Sequence, residues 1–176
     1  MKKPSVFTVG HSTRSVDDLV GLLDAFGVSQ IVDVRSISKS HHNPQFNKDE
    51  LRLSLKAKGV GYQHIKELGG LRHSRKHSIN LGWRNLSFRA YADYMATPEF
   101  AKGLRALTEI ASKRPTAVMC AEALPWRCHR SLIADALTKN GWLVRDIMSR
   151  TLSTRHRLTP FLRARKGLLT YPNLGS

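Results

Sequence analysis

Residues 116–147 read TAVMCAEALPWRCHRSLIADALTKNGWLVRDI, and the fold turns on this stretch. A short apolar run, Ala117–Cys120, ends in Cys120-Ala121-Glu122 and gives way to a Pro-Trp loop. Cys128, His129, Arg130 and Ser131 then open a segment in which Leu132, Ile133, Ala136 and Leu137 recur at helical spacing, with Gly141 as its stop. Trp142–Met148 is apolar again. Strand, helix and strand in close succession predict a mainly parallel sheet.

The same alternation extends outward. Val6–Val9 reads as a strand, and Ser15 with Asp18 three residues on reads as a helix cap. Val16, Leu19, Val20, Leu23 and Phe26 share one face of that helix, which Gly27 stops; Ile31–Val34 is the next strand. Asn47 with Glu50 marks a helix running to about Lys58 and ended by Gly59, and Tyr62–Ile65 is a short third strand. Residues 66–86, with Gly69, Gly70 and Gly82, read as a long loop, which in a compact domain is functional or disordered. Phe88–Met95 is a short helix; Thr97-Pro98-Glu99 caps the next, whose buried stripe is Phe100, Leu104, Leu107 and Ala111. The expected architecture is a single α/β domain over residues 1–148, a mainly parallel five-stranded sheet flanked by helices, with strand order left open. Residues 149–176 lack a strong period and read as a basic C-terminal tail packed on the domain or extending from it.

The 176 residues suit one core of ordinary apolar content, 41%. Charge is not ordinary: 29 Lys+Arg oppose 13 Asp+Glu, a net +16, which favours anionic partners. From Arg35 to Arg89 there are twelve bases and three acids, and from Ser149 to Ser176 six bases and no acid. The pattern fits either a nucleic-acid face or a solvated basic surface. Two cysteines make no disulfide framework, and the short apolar run after the basic start is not a signal peptide. A cytoplasmic protein with no membrane partner is expected; oligomeric state and cofactor are left unassigned.

Sheets of this kind take ligands at the carboxyl ends of their strands. Three strands deliver polar groups there: Gly10-His11-Ser12-Thr13-Arg14, Asp33-Val34-Arg35-Ser36 and Cys120-Ala121-Glu122. Candidate catalytic residues are Cys120, Glu122, Cys128 and His129. Cys128 stands at a helix start beside Arg130, where amides and a guanidinium favour a thiolate. His129 suits proton transfer near neutral pH, with Glu122 as its partner or a second base. Candidate ligand-binding residues are His11, Arg14, Arg35, Arg84, Arg89, Arg130 and Ser131, the helix start being a natural anion site. The expected ligand is a phosphate-bearing small molecule or nucleotide, with thiol-based transfer or hydrolysis.

Each residue also has a plainer role. Asp33 and Arg35 alternate with buried valines and suit an internal salt bridge. Asn43, Phe46 and Asn47 suit turns and caps, and Phe88, Tyr91 and Tyr94 suit a helix core. Free cysteines are often structural. Arg84 and Arg89 interleave with Trp83, Tyr91 and Tyr94 in a way that also suits base stacking, so a nucleic-acid-binding module with a structural Cys/His cluster is the alternative. Cys120, Cys128, His129 and His11 include metal-ligand types, but C-x7-C-H is not a usual zinc spacing, and no metal ligand is assigned.

The strings TVGHSTRS, IVDVRS, NPQFNK, ELGGLR, GWRNLSFRAYADYM and MCAEALPWRCHRSLIADAL resemble an uncharacterised prokaryotic family, the domain-of-unknown-function family number 488, over residues 6–148. The resemblance implies an α/β fold in a cytosolic prokaryotic setting and no settled activity. A fainter similarity is to rhodanese-like and cysteine-phosphatase domains, with Cys120 at the nucleophile and Arg130-Ser131 at the loop end. The phosphatase pattern C-x5-R is shorter than the spacing from Cys120 to Arg130, so sulfur or phosphoryl transfer is an analogy from fold alone.

Overall fold

In the computed structural model, which describes residues 3–175, all five expected strands form and all run parallel. They are β1 (Ser5–Gly10), β2 (Gln30–Asp33), β3 (Gly61–His64), β4 (Thr116–Cys120) and β5 (Leu143–Ile147). A sixth, β6 (Ser153–Arg155), adds antiparallel to β5, giving the order β3-β2-β4-β1-β5-β6. It was not expected because three polar residues on a sheet edge need only backbone pairing and carry no apolar alternation. The tail then forms a separate hairpin, β7 (Arg163–Arg165) and β8 (Leu168–Thr170).

Five helices connect the strands: α1 (Val16–Asp24), α2 (Lys48–Ala57), α3 (Leu86–Tyr94), α4 (Pro98–Lys113) and α5 (Arg130–Lys139). Ser15 Oγ accepts from Asp18 N at 3.0 Å and Thr97 Oγ1 from Phe100 N at 3.3 Å, as the cap signatures predict. Asn47 stands at the N-cap of α2 as expected, but its side chain makes no capping bond; Oδ1 instead accepts from Ser40 N at 2.7 Å, pinning the preceding loop. Asn85 starts α3 two residues before the expected Phe88, by accepting from Ser87 N and Phe88 N. Gly59 and Gly141 stand at φ +75° and +89°, the left-handed backbone that ends α2 and α5.

From β1 through β3 the chain steps one way across the sheet, and from β3 through β5 it steps back. Right-handed crossovers therefore put α1 and α2 on one face and α3–α5 on the other. The core divides accordingly. Leu19, Leu23, Leu51 and Leu55 pack on Val9, Ile31, Ala117 and Met119, whereas Tyr91, Leu107, Leu132 and Leu137 pack on Val6, Val32, Val118 and Val144.

The tail is tied to the second of these faces. Buried Asp135 on α5 accepts from His156 Nε2 (2.8 Å), Thr159 N and Oγ1 (3.1 and 2.7 Å) and Tyr171 Oη (3.0 Å). Burial lowers the proton affinity of His156, but Asp135 and then Asp146 outweigh it and raise its pKa to about 9.

β1 and β4 are neighbours whose onward connections run in opposite directions, which makes their carboxyl ends the switch point of the sheet. Pairing continues past the strand ends, from His11 N to Cys120 O (3.0 Å) and Ser12 N to Ala121 O (2.9 Å). Gly10 is required for this approach: a Cβ there would stand 2.0 Å from the Glu122 carbonyl oxygen.

Candidate functional site

Side chains alternate along β4, so Cys120 points to the α3–α5 face with Val118, while Met119 points to the other. After the loop, a 3-10 turn at Pro125–Arg127 brings Cys128 back, with its Sγ 2.7 Å from Cys120 Sγ. Arg130, in the first turn of α5, donates through Nη1 to Cys120 Sγ (2.6 Å) and to Glu122 O, and through Nη2 to Ala123 O (2.9 Å). It is 1% exposed and, among the described residues, pairs with no carboxylate. A buried guanidinium needs an anion. The nearest group able to become one is the Cys120 thiol.

Burial pushes the Cys120 thiol up, but the hydrogen bond from Cys128 and the charge and hydrogen bond of Arg130 outweigh it and bring it down to about 7. Cys128 moves the opposite way. Its hydrogen bond to Cys120, then burial and the neighbouring negative charge, hold its proton well above the ordinary thiol range. The sequence points to Cys128 as the favoured thiolate because it adjoins the helix start and Arg130; the fold corrects this. The guanidinium reaches back over the loop to Cys120, and only the Arg130 backbone N–H, at 3.5 Å, faces Cys128 Sγ.

His129 is fixed in one tautomer. Its Nε2 lies 3.0 Å from the Val34 carbonyl and must donate, which leaves Nδ1 as an acceptor 3.5 Å from Cys128 Sγ. Burial lowers its pKa to about 4, so the ring is neutral at physiological pH. Gly70 makes room for it: a Cβ there would stand 2.5 Å from Nδ1. Glu122 is not the partner of His129. Its carboxylate is exposed and accepts from Leu124 N at 3.3 Å, because the carbonyl, not the side chain, of Glu122 turns inward to Arg130.

On the opposite face, Arg35 is enclosed by Asp33. Nε donates to both carboxylate oxygens (2.9 and 3.1 Å), and Nη2 donates to Asp33 Oδ2 (2.7 Å) and Phe46 O (2.8 Å). Tyr62 Oη adds a bond to Asp33 Oδ2 at 2.6 Å. Burial raises the Asp33 carboxyl, but Arg35 and Tyr62 outweigh it and hold it below its ordinary range. His11 stacks on Phe46 with centroids 4.1 Å apart; its Nδ1 lies 2.8 Å from Ser12 O and its Nε2 3.2 Å from Arg35 Nη1. Nδ1 therefore donates and Nε2 accepts from the guanidinium. Burial lowers the His11 pKa to about 4. Asp33 and Arg35 form a buried ion pair that organises the loops.

The two faces meet in a cleft with two lobes. One, of about 370 Å³, is walled by Ile37, Leu71 and Phe88, and both thiols and His129 line it. The other, of about 390 Å³, is polar and includes His11, Ser12, Thr13, Lys39 and Asn43. Arg35, Ile37, Ala121 and Glu122 line both. His11, Arg35, Glu122 and Arg130 thus gather at one edge of the sheet, although Arg130 lies beneath the cleft rather than on its wall.

Other candidate residues lie elsewhere or serve the scaffold. Half-buried Arg14 lines neither lobe, and its carbonyl accepts from Gln45 Nε2 at 3.0 Å. Ser131 Oγ donates to Cys128 O at 2.9 Å and steadies the helix start. Arg89 Nε donates to Trp83 O at 3.0 Å, and exposed Arg84 lies by Gly82, Phe161 and Pro172. Trp83 packs against Phe88, Phe161 and Tyr171, so these aromatics build the core. His11 stands across the sheet from the thiols with both ring nitrogens engaged. Two thiolates on one tetrahedral zinc would sit about 3.7 Å apart, wider than the 2.7 Å here. The phosphatase-loop analogy fails on the same atoms: the carbonyls of Glu122 and Ala123 turn in toward Arg130, where a phosphate cradle would present N–H groups.

Wall residues Ile37, Leu71 and Arg127 escape sequence reasoning because they sit on loops without periodicity, and Phe88 because helical spacing marks it only as core. The pair Gly69-Gly70 inside a long loop was the one available signal. That loop is held in place: Leu71 N donates to Ser36 Oγ at 2.8 Å, and the Arg72 guanidinium lies 3.6 Å over the Tyr94 ring.

The architecture and site together define a mostly parallel α/β protein with a dithiol at its switch point. The chain belongs to the family described as Domain of unknown function DUF488, which matches residues 15–137 and so spans α1 to α5, including both cysteines and Arg130. Neither a curated protein nor a solved structure matches it. No helix among the described residues is long and apolar enough to cross a membrane.

Proposed function

We propose that the protein is a thiol enzyme that binds a small molecule carrying an anionic group in the two-lobed cleft and attacks it with Cys120. One observation carries this reading: a buried guanidinium with no carboxylate partner among the described residues lies 2.6 Å from a thiol that faces a cleft. The apolar lobe suits an organic body, and the polar lobe offers Lys39, Ser12 and Thr13 to an anionic group such as a phosphate. Arg127 adds a second cation at the apolar lobe, offsetting the exposed Glu122.

The test is alkylation by iodoacetamide, followed by intact mass and peptide mapping. Cys120 is expected to react with a midpoint near pH 7, and a panel of nucleotides and sugar phosphates is expected to contain members that slow it and raise the melting temperature. Modification of Cys120 only in the ordinary thiol range, above about pH 8, would remove the reading. A second reading, nucleic-acid binding, rests on the exposed Arg163, Arg165 and Lys166 of the β7–β8 hairpin, which form no ion pair among the described residues. Affinity for duplex DNA or RNA that falls steeply with salt would favour it.

A further inference from the structure

In a one-thiol mechanism the second thiol serves only as a hydrogen-bond donor to the first, yet the fold places it with care. Cys128 Sγ touches Cys120 Sγ at 2.7 Å, faces the acceptor Nδ1 of His129 at 3.5 Å and lines the same lobe of the cleft. A disulfide bond needs about 2.05 Å between sulfurs, so closing the pair asks for a shift well under one ångström. Two thiols held this way suit a reaction in which the first forms a bond to a substrate sulfur and the second releases it.

We propose that Cys120 and Cys128 act as attacking and resolving thiols in the reduction of a small organic disulfide that carries an anionic group. The proposal rests on the preceding assignment of Cys120 as nucleophile and specifies the chemistry that follows. Cys120 Sγ, as thiolate, attacks one sulfur of RS–SR′; the S–S bond breaks, and its electron pair leaves on R′S⁻, which takes a proton from solvent. Cys128 Sγ then attacks Cys120 Sγ. The bond to the substrate sulfur breaks, RS⁻ departs, and the Cys128 proton ends on it. Two protein thiols are oxidised to one disulfide, and one substrate disulfide is reduced to two thiols. A dithiol reductant restores the protein for another turn.

The pairing also sets the order of events. In the resting state the hydrogen bond to Cys120, then burial and the negative charge on that sulfur, keep Cys128 protonated. Forming the mixed disulfide removes that charge and frees the Cys128 S–H to turn from Cys120 to His129 Nδ1, 3.5 Å away, while Arg130 remains beside both sulfurs. The second thiol is thus activated by completion of the first step. Ile37, Leu71 and Phe88 give the lobe an apolar wall against which the organic body of a disulfide can pack.

Glutathione disulfide, small and anionic, is the probe, with intact mass spectrometry of the full chain as readout. Wild type is expected to end two hydrogens lighter with no retained glutathione and to return to its starting mass with dithiothreitol. Cys128→Ser is expected to accumulate a single glutathionyl group mapping to Cys120, and Cys120→Ser to stay unmodified over the same time. A wild-type protein that keeps a stable glutathionyl group on Cys120, or a Cys120→Ser variant modified at Cys128 as fast as wild type, would overturn the proposal. Circular dichroism of each variant checks that it folds. Iodoacetamide separates the two assignments: rapid alkylation of Cys120 without closure of the pair defeats the disulfide chemistry alone, whereas ordinary alkylation defeats both.

Discussion

Two buried arginines stand at the same edge of the sheet, on opposite faces, and do opposite things. Arg35 is enclosed by the Asp33 carboxylate, with Tyr62 and the Phe46 carbonyl completing its shell. Arg130 has two carbonyls and a thiol and, among the described residues, no carboxylate. The side chains are the same and the burial is similar, 6% against 1% exposed. What differs is the anion. A carboxylate is already charged and turns the first arginine into scaffold; a thiol has to lose its proton to complete the second pair, and the arginine's charge becomes reactivity. The role of a buried cation is set by the proton affinity of the group that shares it.

The largest consequence of this contrast concerns stability. Arg35→Ala strands Asp33, which is fully buried, and is expected to cost about 3–5 kcal/mol in urea unfolding. In the molecules that stay folded, Cys120 alkylation should keep its midpoint near pH 7. Collapse of that midpoint together with stability would mean that the two arginines form one unit.

A third buried pair, His156 with Asp135, extends the comparison to a cation that can itself lose its charge. The His156 pKa is raised from 6.5 to about 9 on folding, so its contribution is full below about pH 6.5 and is lost as pH climbs through 9. A shift of that size corresponds to about 3 kcal/mol. Across this window urea midpoints measured from pH 6 to 10 should fall in wild type relative to His156→Asn, which lacks the titrating cation. Equal slopes in both proteins would show that the histidine is not charged in the fold.

The smallest expected effect is on reactivity. Arg130→Met removes the cation, and alkylation of Cys120 at pH 7 should slow by roughly tenfold or more as the thiol returns toward its ordinary range. Arg130→Lys keeps a charge without the planar fork and should recover part of the rate. An unchanged rate in the methionine variant would move the credit to Cys128.

Much of this arrangement is legible in the sequence because its parts are neighbours there. Cys120, Glu122, Cys128, His129 and Arg130 fall within eleven residues, and strand-loop-helix patterning places them at a sheet edge. The five parallel strands and five helices are legible for the same reason, through apolar periodicity and caps such as Ser15 and Thr97. Which thiol holds the charge is not legible, because it depends on the direction in which the Arg130 side chain runs. The walls at Ile37 and Leu71 come from loops with no period. Phe88 shows helical spacing but no sign that it faces a cleft. β6 escapes because a short polar edge strand is a matter of backbone alone, and the roles of Arg84 and Arg89 are not legible because aromatics interleaved with arginines look the same whether they meet a base or a core.

Helix α5 carries the reactive chemistry at one end and an anchor in its middle. Arg130 begins it, and five residues on, Asp135 grips the C-terminal segment through His156, Thr159 and Tyr171. The C-terminal segment is therefore a tether on the rod that aims the thiols. Trimming it back to residue 148 would strip that carboxylate of its protein donors, uncover it, and loosen the helix whose first turn sets the distance between guanidinium and sulfur.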